Sequence, residues 1–218
     1  LTSEYATYRW AALSSRDPTR GLVDQEGYLW HSSREAVKHI SEAAAEGEMR
    51  TQIETALSSG LTITHIDTHM GTVVHPRYIR SYLALAREYG VPAFLPRITR
   101  ERLDRMRQVD DTDAMLAAIE EVDRSEVPTL DEILIDTLVQ LSDKSQFYRD
   151  LIDAIEPGLT HLLFHPAVDG EELSAITGTH ASRNADYLAW QGTVLKDYIS
   201  DAGIHLIGYR ELQSAMAS

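Results

Sequence analysis

The stretch Leu61-Thr62-Ile63-Thr64-His65-Ile66 decides how the rest of the chain is read. Its apolar and polar residues alternate and are mostly β-branched or bulky, as in a half-buried strand. After it, Pro76 opens a predicted helix running through Tyr89, and Gly90 stands at the position where a left-handed backbone usually ends a helix. Val91 to Leu95 then reads as a second short strand. Strand, helix and strand in this order predict a parallel sheet, because a parallel neighbour is reached only through a crossover.

The alternation extends in both directions. Upstream, Ser32 and Glu35 have capping-box spacing, and apolar residues recur at mostly helical intervals as far as Ser59, before Gly60. Downstream, a polar, mostly helical insertion is expected from Thr99 to Val122, a strand at Leu130–Ile135 and a helix at Lys144–Ile155. Leu159-Thr160-His161-Leu162-Leu163-Phe164 is a strand ending at His165-Pro166. A helix from Arg183 to Ala202, a stop at Gly203, a last strand at Ile204–Ile207 and a short terminal helix complete the reading. No linker rich in Pro, Gly or Ser interrupts it, so one α/β domain over residues 1–218 is expected. The sheet is either open and doubly wound or closed into a barrel. No GxGxxG or GxxxxGKS/T loop follows any strand, which removes the main nucleotide-binding signatures. In both architectures an active site belongs at the carboxyl ends of the strands.

Composition narrows the chemistry. The 218 residues carry 34 Asp and Glu against 20 Lys and Arg, a formal net charge of −14. That excess argues against a nucleic-acid partner, whose phosphates need clustered cations. The basic residues between Arg97 and Arg107 are interrupted by Glu101 and Asp104, as on a solvated face. There is no Cys, so disulfides, thiolate metal sites and a cysteine nucleophile are excluded, and any metal must be held by His, Asp or Glu. No run approaches the roughly 18–20 apolar residues of a membrane span. Leu1-Thr2-Ser3-Glu4-Tyr5 has neither a basic start nor an apolar signal segment, and the cytoplasm is the default location.

Two strand ends carry the candidate chemistry. In Thr64-His65-Ile66-Asp67-Thr68-His69, a strand continuing to Asp67 puts His65 and Asp67 on one face, with His69 just beyond. Imidazole and carboxylate suit Zn²⁺ and related ions, whereas Mg²⁺ favours oxygen donors; two histidines close together by chance are the alternative. At the second strand end, His165 leaves an apolar run with a pKa suited to proton transfer, or is simply a loop residue held by Pro166. Arg183 and Asp186 share a helix face downstream, either orienting His165 or forming a surface ion pair. Arg97 and Asp136, each at a strand end, are candidates for contacts to a substrate hydroxyl or carbonyl.

Three segments together resemble the YdjC-like carbohydrate deacetylases (the ChbG/HpnK type). They are Thr64-His65-Ile66-Asp67-Thr68-His69, Phe164-His165-Pro166-Ala167 and Gly203-Ile204-His205-Leu206-Ile207-Gly208-Tyr209-Arg210-Glu211-Leu212, and the opening Leu1-Thr2-Ser3-Glu4 matches part of a further family stretch. The resemblance covers essentially the whole chain. It implies an irregular TIM-like (β/α) barrel whose first strand or strands lie outside these residues. It also implies a metal-dependent hydrolase that removes the acetyl group of an N-acetylated sugar, with one divalent ion, zinc or magnesium, and a homodimer. By the same resemblance His69 is a metal ligand and His165 the general acid for the leaving amine. The remaining ligands and a carboxylate base are expected upstream, so the 218 residues alone are expected to be inactive. Two departures bear on the substrate: His69 is followed by Met70-Gly71-Thr72-Val73 instead of further histidines, and Ala167 stands where a glycine is usual. A hydrolase of another small amide or ester, or a non-catalytic sugar-binding relative, are the alternative readings.

Overall fold

The structure, a computed structural model, describes residues 1–97, 99, 112–124 and 127–216. Half of the insertion expected at Thr99–Val122, residues 100–111, therefore lies outside the described residues. The described part, Thr112–Arg124, is helical. The fold is mixed α/β, and the chain divides into two compact units: residues 1–129 with 209–218, and residues 130–208. No helix among the described residues is long and apolar enough to cross a membrane.

In the first unit the helix expected up to Ser59 is two helices, α1 (Ser33–His39) and α2 (Glu42–Ser58). The break has a local cause. Ser41 adopts an extended backbone and its side chain accepts the Ala44 N–H, a second N-cap inside what reads as one periodic run. Helix α3 (Ile79–Glu88) begins three residues after Pro76, and Gly90 ends it at φ +62°, with the Val91 N–H bonded back to the Ala86 carbonyl at 3.0 Å. The flanking segments are joined in parallel only at the Ile66–Ala93 bridge, where Ile66 N–H meets Pro92 O (3.0 Å) and Phe94 N–H meets Ile66 O (2.8 Å). The Tyr82 hydroxyl, from α3, lies 2.8 Å from Ile66 O and 3.3 Å from Phe94 O, clasping both segments from beneath. Ala36, Ile40, Ala45, Met49 and Ile53 pack with Tyr78, Ile79, Leu83, Leu85 and Leu95 to form this unit's core. Helix α4 is Thr112–Arg124.

Glu48 is buried in α2 but fully engaged. Its carboxylate accepts the Leu13 N–H (3.0 Å), the Ser14 N–H (2.8 Å) and hydroxyl (2.6 Å), and the Gln52 amide (2.9 Å). Burial pushes its pKa up, but these bonds together outweigh burial and hold it below the ordinary 4.5. A depressed folded pKa means the stabilisation is present above the unfolded value and is lost as pH falls through the folded one. Glu48→Gln is therefore expected to cost about 1–3 kcal/mol at neutral pH. In urea titrations the gap to the parent protein should narrow as the pH is lowered below 4.5; a gap independent of pH would contradict this account.

In the second unit, β1 (Glu132–Ile135) and β2 (Thr160–Leu163) pair in parallel, from Glu132↔Thr160 to Ile135↔Leu163, as the alternating pattern predicts. Helix α5 (Ser145–Asp153) lies between them in sequence. After β2 come α6 (Glu171–Ile176), α7 (His180–Gln191) and α8 (Val194–Asp201). The single helix expected at Arg183–Ala202 is thus broken at Gly192-Thr193. The strand expected at Ile204–Ile207 does not form among the described residues; Leu206 is 66% exposed, so its alternating pattern has no face to cover. Tyr148, Ile152, Leu195 and Ile199 form the buried core, against which Phe164 and Trp190 stack with ring centres 4.8 Å apart. Helix α9 (Tyr209–Met216) belongs to the first unit, where Gln213 donates to Gly90 O at 3.1 Å.

Candidate functional site

In the first unit the Thr64–His69 segment borders a cleft of about 370 Å³, within the range of small-molecule sites. Ile63, Ile66, Met49 and Ile53 give it apolar walls, and Asp67, Thr68 and His69 supply its polar side. His69 opens a short 3-10 segment, His69–Val74, in which Met70 (φ +57°) and Gly71 (φ +68°) are both left-handed. This turn redirects the chain directly after His69. The His69 side chain is 57% exposed, and its Nε2 lies 2.9 Å from Glu4 Oε2. His65 goes elsewhere: it stacks on Tyr209 with ring centres 4.0 Å apart, its Nδ1 is 3.1 Å from Thr64 Oγ1, and burial pushes its pKa down. Asp67 is exposed and accepts the Thr68 N–H at 2.5 Å. Arg97 is exposed just after Leu95-Pro96.

In the second unit the strand ends are tightly built. Asp136 directly follows β1 and extends the ladder through its N–H to Leu163 O (2.9 Å). His165 follows β2 by two residues. Its backbone N–H donates to Asp186 Oδ2 at 3.1 Å, and the Ala167 N–H donates to Arg183 O at 3.1 Å. Helix α7 thus fixes the His-Pro-Ala turn from both sides. Asp186 and Asp136 are fully buried, and so is Lys144, at the residue preceding α5. Lys144 Nζ donates to Asp136 Oδ2 (2.5 Å), Asp186 Oδ1 (2.7 Å) and Ser182 Oγ (2.7 Å). The Tyr148 hydroxyl donates to Asp186 Oδ1 at 2.7 Å. The surface ion pair between Arg183 and Asp186 is not what forms. Asp186 is buried and pairs with Lys144, while Arg183 Nε donates to Thr179 Oγ1 at 3.1 Å. Nor does the buried Asp136 carboxylate offer a surface to a substrate.

Electrostatics follow the geometry. Burial pushes the His165 pKa down and the Arg183 charge adds to this, against the opposing pull of Asp136 and Asp186. For Asp186 burial acts upward, but hydrogen bonds from Lys144, Tyr148 and the His165 N–H prevail and hold it below the ordinary carboxylate value.

A YdjC-like protein family model matches residues 2–201. The chain belongs to the YdjC-like protein family. Among curated relatives of YdjC-like proteins, a carbohydrate deacetylase of Thermoanaerobacter pseudethanolicus is 25% identical over 201 residues, covering 92% of this chain and 73% of that one. A carbohydrate deacetylase of Thermus thermophilus is 27% identical over 229 residues, covering 99% and 76%. A crystal structure from Enterococcus faecalis V583, of a proposed cellobiose-phosphate cleavage protein, shares the fold with a TM-score of 0.71 at 23% identity, covering 93% of this chain and 72% of that one.

The family resemblance implies a divalent ion, and the donors present test it. His69 meets one carboxylate, that of Glu4, and no group of three His, Asp or Glu donors surrounds it among the described residues. A catalytic zinc takes three protein ligands. Asp136, His165 and Asp186 do have ligand atoms within 4.8 Å of one another, but the Lys144 ammonium already bonds both carboxylates. Neither set completes a metal site by itself among the described residues.

Proposed function

We propose that this YdjC-like protein is a carbohydrate deacetylase that hydrolyses the amide of an N-acetylated sugar, with His165 as the group that protonates the leaving amine. What supports the reading most is the seating of His165 at the carboxyl end of β2, held through its own backbone by the buried Asp186. Its relatives named carbohydrate deacetylases point to the same substrate class. The reaction adds water to the acetyl carbonyl, forms a tetrahedral oxyanion and breaks the C–N bond. Amine is a poor leaving group until nitrogen takes a proton, which an imidazolium can give. His69 is proposed as a metal ligand on its motif position and the adjacent Glu4 carboxylate. The barrel architecture and a single domain over residues 1–218 belong to the same proposal.

The test is acetate release from a panel of N-acetylated mono- and oligosaccharides, with and without chelator. Release that is chelator-sensitive and reduced at least tenfold in His69→Ala is the expected result. Chelator-insensitive release that His69→Ala leaves intact would remove the metal role while keeping the deacetylase. The short donor set at His69 favours one alternative, a non-catalytic sugar-binding relative. That alternative predicts sugar binding without acetate.

A further inference from the structure

The second unit holds a three-donor cluster with the spacing of a metal site and a lysine in its midst. We propose that Lys144 is the resident cation of the Asp136–Asp186 pair, filling the place of a metal ion, and is a positioning residue for His165. The inference rests on the reading of His165 as the proton donor.

The geometry is complete without any other ion. An ammonium has three N–H donors and no acceptor, and Lys144 meets three acceptors: Asp136 Oδ2 at 2.5 Å, Asp186 Oδ1 at 2.7 Å and Ser182 Oγ at 2.7 Å. Ser182 accepts from Lys144 and passes its own hydrogen to Val139 O at 2.9 Å, so the hydroxyl is directional and both its roles are used. Lys144, Asp136 and Asp186 have no exposed side-chain surface, and an unpaired charge in such a place is costly. The ammonium therefore holds both carboxylates in place through direct contacts. One of them, Asp186, spends its other oxygen on the His165 N–H. Lys144 thus acts through Asp186 on the turn that carries the imidazole.

The cluster also sets the charge facing His165. Two carboxylates and one ammonium leave one net negative charge, Arg183 contributes a positive charge from α7, and Tyr148 is neutral, its pKa pushed up by burial and by the adjacent Asp186. Changes at the cluster should then move His165 with a sign that depends on the charge removed. A merely structural contact has no such signature.

The experiment is NMR titration of the His165 ring in the folded protein, with Zn²⁺ as the metal probe. In the parent protein, Zn²⁺ is expected to leave the His165 resonances unmoved. Lys144→Met, which removes the positive charge, should raise the His165 pKa, and Asp136→Asn, which removes a negative one, should lower it. Zn²⁺ shifting His165 in the parent protein overturns the proposal, as does movement of the two variants in the same direction or not at all. If Lys144→Met does not fold, Asp136→Asn and the zinc titration still decide. Acetate release adds a separate arm: Lys144→Met should lower kcat at least tenfold with KM within about twofold. Opposite shifts in a protein that releases no acetate would sink the deacetylase reading and leave this assignment of Lys144 standing.

Discussion

His165→Ala is expected to lower kcat/KM for acetate release by about 10²- to 10⁴-fold, the usual contribution of a positioned proton-transfer group. The side chain projects from a turn whose backbone is bound through His165 N–H and Ala167 N–H, so truncating the ring leaves those two bonds in place. The loss should fall on kcat with little change in sugar affinity. Burial and Arg183 hold the imidazole pKa below the ordinary 6.5. A group that must enter protonated is lost as pH rises through its pKa. The alkaline limb of kcat/KM should therefore set in below pH 6.5 and vanish in the variant. Activity within tenfold of the parent would remove His165 from the chemistry.

Asp186→Ala is expected to be the most destabilising single change in the second unit, by about 3–5 kcal/mol, the range for breaking a buried ion pair from one side. Three donors lose their acceptor at once: the Lys144 ammonium, the Tyr148 hydroxyl and the His165 N–H. Asp186→Asn keeps the volume and an acceptor oxygen and should cost less. Because the folded pKa of Asp186 is depressed, its contribution is present above the unfolded value near 3.8 and disappears as pH falls through the folded one. Urea denaturation of both variants at neutral and acidic pH measures this. A loss under about 1 kcal/mol for Asp186→Ala would mean that the cluster does not hold the fold as described.

Much of the framework was legible because it is written in local patterns. The apolar runs at Leu130–Ile135 and Leu159–Phe164 pair in parallel, and Gly90 takes the left-handed backbone its position after a helix demands. Asp136, His165 and Asp186 stood out because they sit at strand ends or one helical turn from a candidate. Lys144 did not stand out. A lysine next to Asp143 and Ser145 looks like any solvated helix start, and only the approach of Asp136 and Ser182, the latter 38 residues away, buries it. Glu48 escaped for the same reason, since its partners at Leu13 and Ser14 are 34–35 residues distant. The breaks at Ser41 and Gly192 were missed because the apolar period continues across them while the backbone does not. Pairing His65 with Asp67 by alternation missed the stack on Tyr209, which comes from the other end of the chain.

That stack has a consequence for the order in which the molecule is made. Residues 130–208 are continuous in sequence, so their unit can fold as soon as it leaves the ribosome. The first unit is split: its α9 strap, with Tyr209 on His65 and Gln213 on Gly90, is synthesised only after the whole second unit. Until then His65, four residues before His69, lacks its aromatic cover. The first unit is thus completed only after the second has been made, and His65 gains its aromatic cover at that point.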